Sequence, residues 1–319
     1  MTPYAAPWWL PGGHLQTVFA SLFPPPRVPL ERSRWDTPDG DFIDVDSAGP
    51  RDAARLLVLF HGLEGSSDSH YARALAAAAS AAGWRIAMPH FRGCSGEPNR
   101  KPRAYHSGDS EEVNWILKKL SSTSDLCAVG VSLGGNALLK WLGERGEAAA
   151  GVVRRAVAVS APLDLAASGN ALDRGLNRLV YTRHFLSTLK PKSLAKLEIF
   201  PGLYEAAGVR AARSFREFDD RVTAPLHGFR DTDDYWTRAS SKPDLAHIEA
   251  PTLIVHARND PFLPGSYLPA TQEVSHSVEL DLPEGGGHAG FACGPFPGNL
   301  DWLPARLLAF FGKHAAFTM

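Results

Sequence analysis

Gly130 to Gly134 read G-V-S-L-G, directly after the apolar run Leu126 to Val131. Asn136 to Gly143 follows with helical periodicity and a closing glycine. A strand running into a sharp turn that opens a helix lifts the central residue clear of the chain, and glycine at both ends permits the bend. Ser132 stands at that tip, where a substrate and a base can both reach its hydroxyl. The chemistry this arrangement suits is attack on an ester or other acyl group. The five-residue pattern is weak alone; its strand and helix context gives it weight.

A serine hydroxyl is a poor nucleophile at neutral pH and needs a base oriented by a third group. In a strand–elbow–helix site the acid follows the serine in the chain and the histidine comes last. Asp260, in H-A-R-N-D-P-F, follows the apolar run Thr252 to His256, and His288, in G-G-G-H-A-G, follows the run Ser277 to Leu282. Flexible glycines at Gly285 to Gly287 would let the imidazole reach back to Ser132. Other carboxylates compete for the acid role: Asp164, and Asp231, Asp233 and Asp234. Position in the strand order favours Asp260. An oxyanion needs two donors, one of them the N–H after the nucleophile. That donor is Leu133, and the second is expected from F-H-G-L-E-G-S-S (Phe60 to Ser67), at Leu63, with His61 ordering the loop.

Positioning these groups takes a sheet. Leu56–Phe60, Arg85–Met88, Leu126–Val131 and Ala156–Val159 are apolar strands, and Thr252–His256 and Ser277–Leu282 continue the series. Helical patterns at Tyr71–Ala82 and Ser110–Leu120, and one near Leu300–Phe311, alternate with or close it. Strand–helix alternation implies a mostly parallel central sheet with helices on both faces. A hairpin through P-D-G-D (Pro38 to Asp41) precedes it. Between two core strands the alternation breaks for about ninety residues, too long for a simple crossover. The expected organisation is an extended N-terminal arm (1–32), a first core part (33–161), an inserted helical cap (162–250) and a second core part (251–319), with Ser168 to Gly175 a candidate hinge loop.

Hydrophobic residues make up 44% of the 319 and charged residues 21%, enough for a large core. A net charge of −1 without a basic run disfavours nucleic acid. No run approaches the ~20 apolar residues of a membrane span, and the first residues lack a secretory pattern. Trp8 to Leu10 suggest packing on the domain more than weak contact with a membrane surface. Cys94, Cys127 and Cys293 form no metal spacing, and their odd, low count suits a cytoplasmic protein. His61, His70, His90 and His106 likewise lack ligand spacing, so no metal and no cofactor is expected.

Several segments extend the pattern: P-G-G-H-L-Q-T (Pro11 to Thr17), H-G-L-E-G-S-S-D-S-H-Y (His61 to Tyr71), F-R-G-C-S-G-E-P-N (Phe91 to Asn99), Y-H-S-G-D (Tyr105 to Asp109), Gly130 to Glu144, and F-D-D-R-V-T-A-P-L-H-G-F (Phe218 to Phe229). Together they resemble the YheT-type α/β-hydrolases, also called the AB-hydrolase-4 family, over nearly the whole chain. The resemblance implies the α/β-hydrolase fold and a serine hydrolase of carboxylesterase type acting on a small-molecule ester, with Ser132, Asp260 and His288 as nucleophile, acid and base. Asn259 stands where that family often has Asp. Acyl transfer to an alcohol and a non-catalytic scaffold are the competing readings. Arg92, with Glu97 nearby, is expected to brace its loop by ion pairing more than to shape, with Asn99, the substrate entrance, and Asp109 to cap the helix at Ser110. The aromatics at Asp234 to Trp236 suit either an acyl pocket or the cap's own core.

Overall fold

The computed structural model describes residues 3–121 and 125–312. Eight strands form one sheet: β1 (Glu31–Asp36), β2 (Phe42–Ala48), β3 (Leu56–Phe60), β4 (Arg85–Pro89), β5 (Leu126–Val131), β6 (Arg155–Val159), β7 (Thr252–Val255) and β8 (Val278–Asp281). Their order is β1-β2-β4-β3-β5-β6-β7-β8. The β1–β2 hairpin and the β2–β4 pairing are antiparallel, and every pairing from β4 to β8 is parallel.

The inner strands β3, β5, β6 and β7 are buried along their whole length, which is why they read as apolar runs rather than alternating ones. Alternate side chains still sort to opposite faces. Leu56, Val58 and Phe60 pack with Val113 and Ile116 of α3 (Ser110–Leu120) and Leu138 and Trp141 of α4 (Leu133–Arg145). Leu57 and Leu59 pack with Leu75 and Ala79 of α2 (His70–Ala81) and Leu307 and Phe310 of α13 (Trp302–Phe311). A short α5 (Glu147–Ala150) follows α4.

Between β6 and β7 the chain leaves the sheet for a helical insert: α6 (Leu165–Leu172), α7 (Gly175–Asn177), α8 (Arg183–Ile199), α9 (Ala206–Ala211), α10 (Phe215–Phe218), α11 (Ala224–Leu226) and α12 (Thr232–Ala239). The insert has two small apolar cores, one around Leu165, Phe215 and Trp236, the other around Leu186, Val209 and Phe218. The expected hinge is helical through Leu172, so Ser168 is not in a loop.

The N-terminal arm is not simply extended: Gly13–Leu22 forms α1. Trp9 packs edge-on against Phe19 and Phe296 and donates to the Gly294 carbonyl, and Leu10 is buried, while Trp8 is 90% exposed.

Arg92 does brace its loop, with partners other than Glu97. Its buried guanidinium pairs with Glu112 at 2.6 Å, Asp39 at 2.7 Å and Asp41 at 3.1 Å, whereas Glu97 pairs with Arg34. Removing one member of such a network leaves buried charge unpaired, a cost of about 3–5 kcal/mol. Arg92→Met is therefore expected to lower the unfolding free energy by about that amount in urea titration. Asp109 sits at the N-cap position of α3, but its side chain makes no capping bond; it is taken by Arg103 instead. An adjacent guanidinium outcompetes a single backbone N–H for a carboxylate.

Candidate active site

Ser132 lies between β5 and α4, at the N-cap position of the helix, with φ 53° and ψ −123°. This is left-handed backbone, costly for a residue with a Cβ and held only by its surroundings. The Ser132 N–H donates to the Val159 carbonyl at 2.8 Å, and its own carbonyl accepts the Asn136 N–H at 3.1 Å. The flanking glycines do not carry the bend's unusual φ; they allow close approach. A Cβ on Gly134 would lie 2.4 Å from the Phe60 carbonyl oxygen, and one on Gly130 would lie 2.3 Å from that of Gly134.

His288 Nε2 lies 2.9 Å from Ser132 Oγ, and His288 Nδ1 lies 2.9 Å from Asp260 Oδ2. The fold thus brings together three residues far apart in sequence. Asp260 is fully buried, its Oδ1 accepting the Phe262 N–H at 2.8 Å. Burial alone would push its carboxyl up, but His288, which pairs with it and hydrogen-bonds to it, and the nearby His256 hold it well below the usual carboxylate range. His256 approaches the same Oδ2 at 3.3 Å, off the line of a well-formed hydrogen bond. The competing carboxylates are spent elsewhere: Asp164 caps α6, Asp231 caps α12, Asp233 pairs with Arg216 and Asp234 with Arg238.

The glycines before His288 are pinned rather than flexible. Gly286 N–H donates to Gln16 Oε1, Gly287 N–H to Asn259 Oδ1, and His288 N–H to Thr17 Oγ1. Ala289 N–H donates to Ser160 Oγ, and His70 Nε2 donates to the Ala289 carbonyl at 2.8 Å. Phe262 stacks on the imidazole, ring centres 3.9 Å apart. Helix α1 thus positions His288, a role that reading the sequence for chemistry missed. P-G-G-H-L-Q-T carried the signal: a Cβ on Gly13 would fall 1.9 Å from the Asn259 carbonyl oxygen, so α1 seats here only with glycine at its start. Asn259 donates to Gln16 Oε1 at 2.9 Å while accepting from Gly287, a pair of bonds a carboxylate could not make.

The turn after β3 faces Ser132. Gly62 N–H donates to the Tyr71 hydroxyl, Glu64 N–H to the Tyr105 hydroxyl, and Gly65 N–H to the Gly62 carbonyl. Among the described residues the Leu63 N–H has no acceptor, and neither has that of Leu133, the first residue of α4. Leu63, Leu133, Ser132 and His288 border one cavity of about 620 Å³, walled largely by apolar side chains such as Leu165, Leu172, Phe185 and Phe215. Tyr235 and Trp236 border it too while belonging to the insert's core.

His61 holds its turn: Nδ1 donates to the Gly62 carbonyl at 2.7 Å, which fixes the tautomer, and Nε2 accepts the Phe91 N–H at 3.0 Å. Burial pushes its pKa down to about 3. His90 pairs with Asp46. No group of three or more metal-ligating side chains occurs among the described residues. No helix among them is long and apolar enough to cross a membrane.

Comparisons with known proteins agree with this architecture. A family model described as the alpha/beta hydrolase fold matches residues 55–295. The candidate esterase YheT of Escherichia coli (strain K12) is 42% identical over 306 residues, covering 92% of this chain and 88% of that protein. Phospholipase ABHD3 of Mus musculus is 30% identical, covering 93% of this chain and 74% of that protein. Among solved structures, an esterase from Exiguobacterium antarcticum shares the fold with a TM-score of 0.58 at 17% identity, covering 88% of this chain and 99% of that one.

Proposed function

This chain belongs to the α/β-hydrolase family, in its YheT-type branch, and from that premise we propose that it cleaves carboxylic esters through an acyl-Ser132 intermediate. The observation that carries the reading is the hydrogen-bonded line from Ser132 Oγ through His288 to Asp260.

In this reading His288 Nε2 takes the Ser132 proton as Oγ attacks the ester carbonyl. Asp260, ionised in its buried seat, fixes the proton on Nδ1 and stabilises the imidazolium that forms. The N–H groups of Leu63 and Leu133 receive the oxyanion, and the start of α4 adds its dipole. His288 then returns its proton to the leaving alcohol, and water attacks the acyl-enzyme by the same route. The substrate is a short- to medium-chain or lipid-like ester. Support for that class comes from the apolar walls of the cavity and from relatives named as an esterase and a phospholipase. A cytoplasmic setting is supported by three free thiols.

Only neutral His288 can accept the proton, so kcat/KM should fall on the acid side with a single limb. Asp260 adds no second limb, because its carboxyl titrates far lower. Burial likewise holds His61 at about 3, His70 at about 4, and His106 and His227 at about 3. Hydrolysis of a p-nitrophenyl ester series measures the profile. A rate that does not fall as the pH is lowered removes His288 from the role.

A further inference from the structure

The helical insert carries a charge pattern that the ester chemistry does not use. Residues 174–213 hold eight Lys or Arg and two Glu in a chain whose net charge is −1. Five of those cations, Arg178, Arg183, Lys190, Arg210 and Arg213, line one shallow recess on the outside of the insert, and no acid lines it. The guanidinium groups of Arg178, Arg183, Arg210 and Arg213 are exposed and make no hydrogen bond or ion pair among the described residues. The nearby acids make their hydrogen bonds to backbone: Glu217 accepts the Arg213 N–H, and Asp173, within electrostatic reach of Arg178, accepts those of Phe215 and Arg216. Unpaired like charges converging on one recess repel one another unless an anion lies among them.

Apolar side chains rim the same face. Leu176 is 54% exposed, Leu179 69% and Val180 41%, on or beside the turn that leads into α8. Leu179 itself lines the recess. Helix α1 abuts this turn through His14 and Tyr181, which share a hydrogen bond, and adds the exposed Leu15. Exposed leucines flanked by unpaired arginines are the pattern of a surface that meets anionic lipid headgroups and inserts shallowly beneath them. Helix α8 separates this face from the catalytic cavity. Arg183, Leu186 and Lys190 look out into the recess, Phe185 and Leu189 look into the cavity, and Pro191 borders both.

We propose that the outer face of the insert, centred on Arg178, Arg183, Arg210 and Arg213 with Leu176 and Leu179 at its rim, docks on anionic phospholipid bilayers. Docked there, the protein holds α8, which walls the cavity, against the bilayer. Vesicle binding involves no turnover, so the proposal stands apart from the esterase reading.

Co-sedimentation with phosphatidylcholine vesicles, with and without phosphatidylglycerol, tests it. The protein is expected to sediment with the anionic vesicles at low salt and to stay in solution with phosphatidylcholine alone. High salt should release it, because exposed charges are screened beyond about 10 Å at 0.1 M. R178E/R183E/R213E should weaken partitioning at least roughly 100-fold. L176S/L179S should weaken it while preserving its salt dependence. Thermal melts followed by circular dichroism identify any variant that fails to fold. Equal binding to both vesicle types overturns the proposal. So does charge-reversed protein that folds and binds anionic vesicles as wild type does.

Discussion

Ser132→Ala is expected to leave a folded protein whose kcat on p-nitrophenyl butyrate is lower by roughly a million-fold, the loss seen when a triad nucleophile is removed. The size follows from what remains. Without Oγ no acyl-enzyme can form, and His288 and Asp260 have nothing to activate except water. The Leu63 and Leu133 donors and the cavity persist and leave a residual advantage over solution of about 10³–10⁴. Folding should be little affected. The backbone at position 132 stays in its left-handed conformation with a Cβ either way, and the variant loses one hydrogen bond, to His288. Steady-state kinetics measure the effect, and a fluorophosphonate should label wild-type protein at Ser132 and leave the variant unlabelled. Wild-type-like turnover by the variant would falsify the acyl-serine route.

The sequence made the sheet legible because its inner strands are buried on both faces, so β3, β5, β6 and β7 appear as short apolar runs. Ser132, Asp260 and His288 were legible for a related reason: in a parallel sheet all strands end at one edge, and residues just past those ends meet there. What stayed hidden was long-range support. Nothing in the periodicity of residues 13–22 says that Gln16 and Thr17 will hold a loop some 270 residues later. Asp109 misled because an N-cap is a local rule, and Arg103 is an acceptor's stronger partner from outside the helix. The glycines of the elbow were read for conformational freedom, but at Gly130 and Gly134 the constraint is steric, set by backbone that only folding brings near.

Asp260→Asn is expected to lower kcat by about 10⁴ with little change in KM. The loss turns on the position of one proton. Asp260 Oδ1 accepts the Phe262 N–H, which fixes the orientation of the carboxylate and points Oδ2 at His288 Nδ1. An amide in the same seat keeps its oxygen on Phe262 and turns its NH₂ toward Nδ1. Nδ1 must then accept, and the ring carries its proton on Nε2. Nε2 faces Ser132 Oγ, so the imidazole can no longer take the serine's proton. The loss comes from the tautomer and from the missing charge behind the imidazolium, with the cavity walls unchanged. Fluorophosphonate labelling of Ser132 should slow in parallel. Asp164→Asn is the control, since Asp164 caps α6 by accepting the Ala167 N–H. An asparagine can cap equally well, so stability and kcat should both stay near wild type. If instead Asp164→Asn abolished turnover while Asp260→Asn preserved it, the acid would have been placed on the wrong strand, and the hydrogen bond between Asp260 and His288 would have no part in the chemistry.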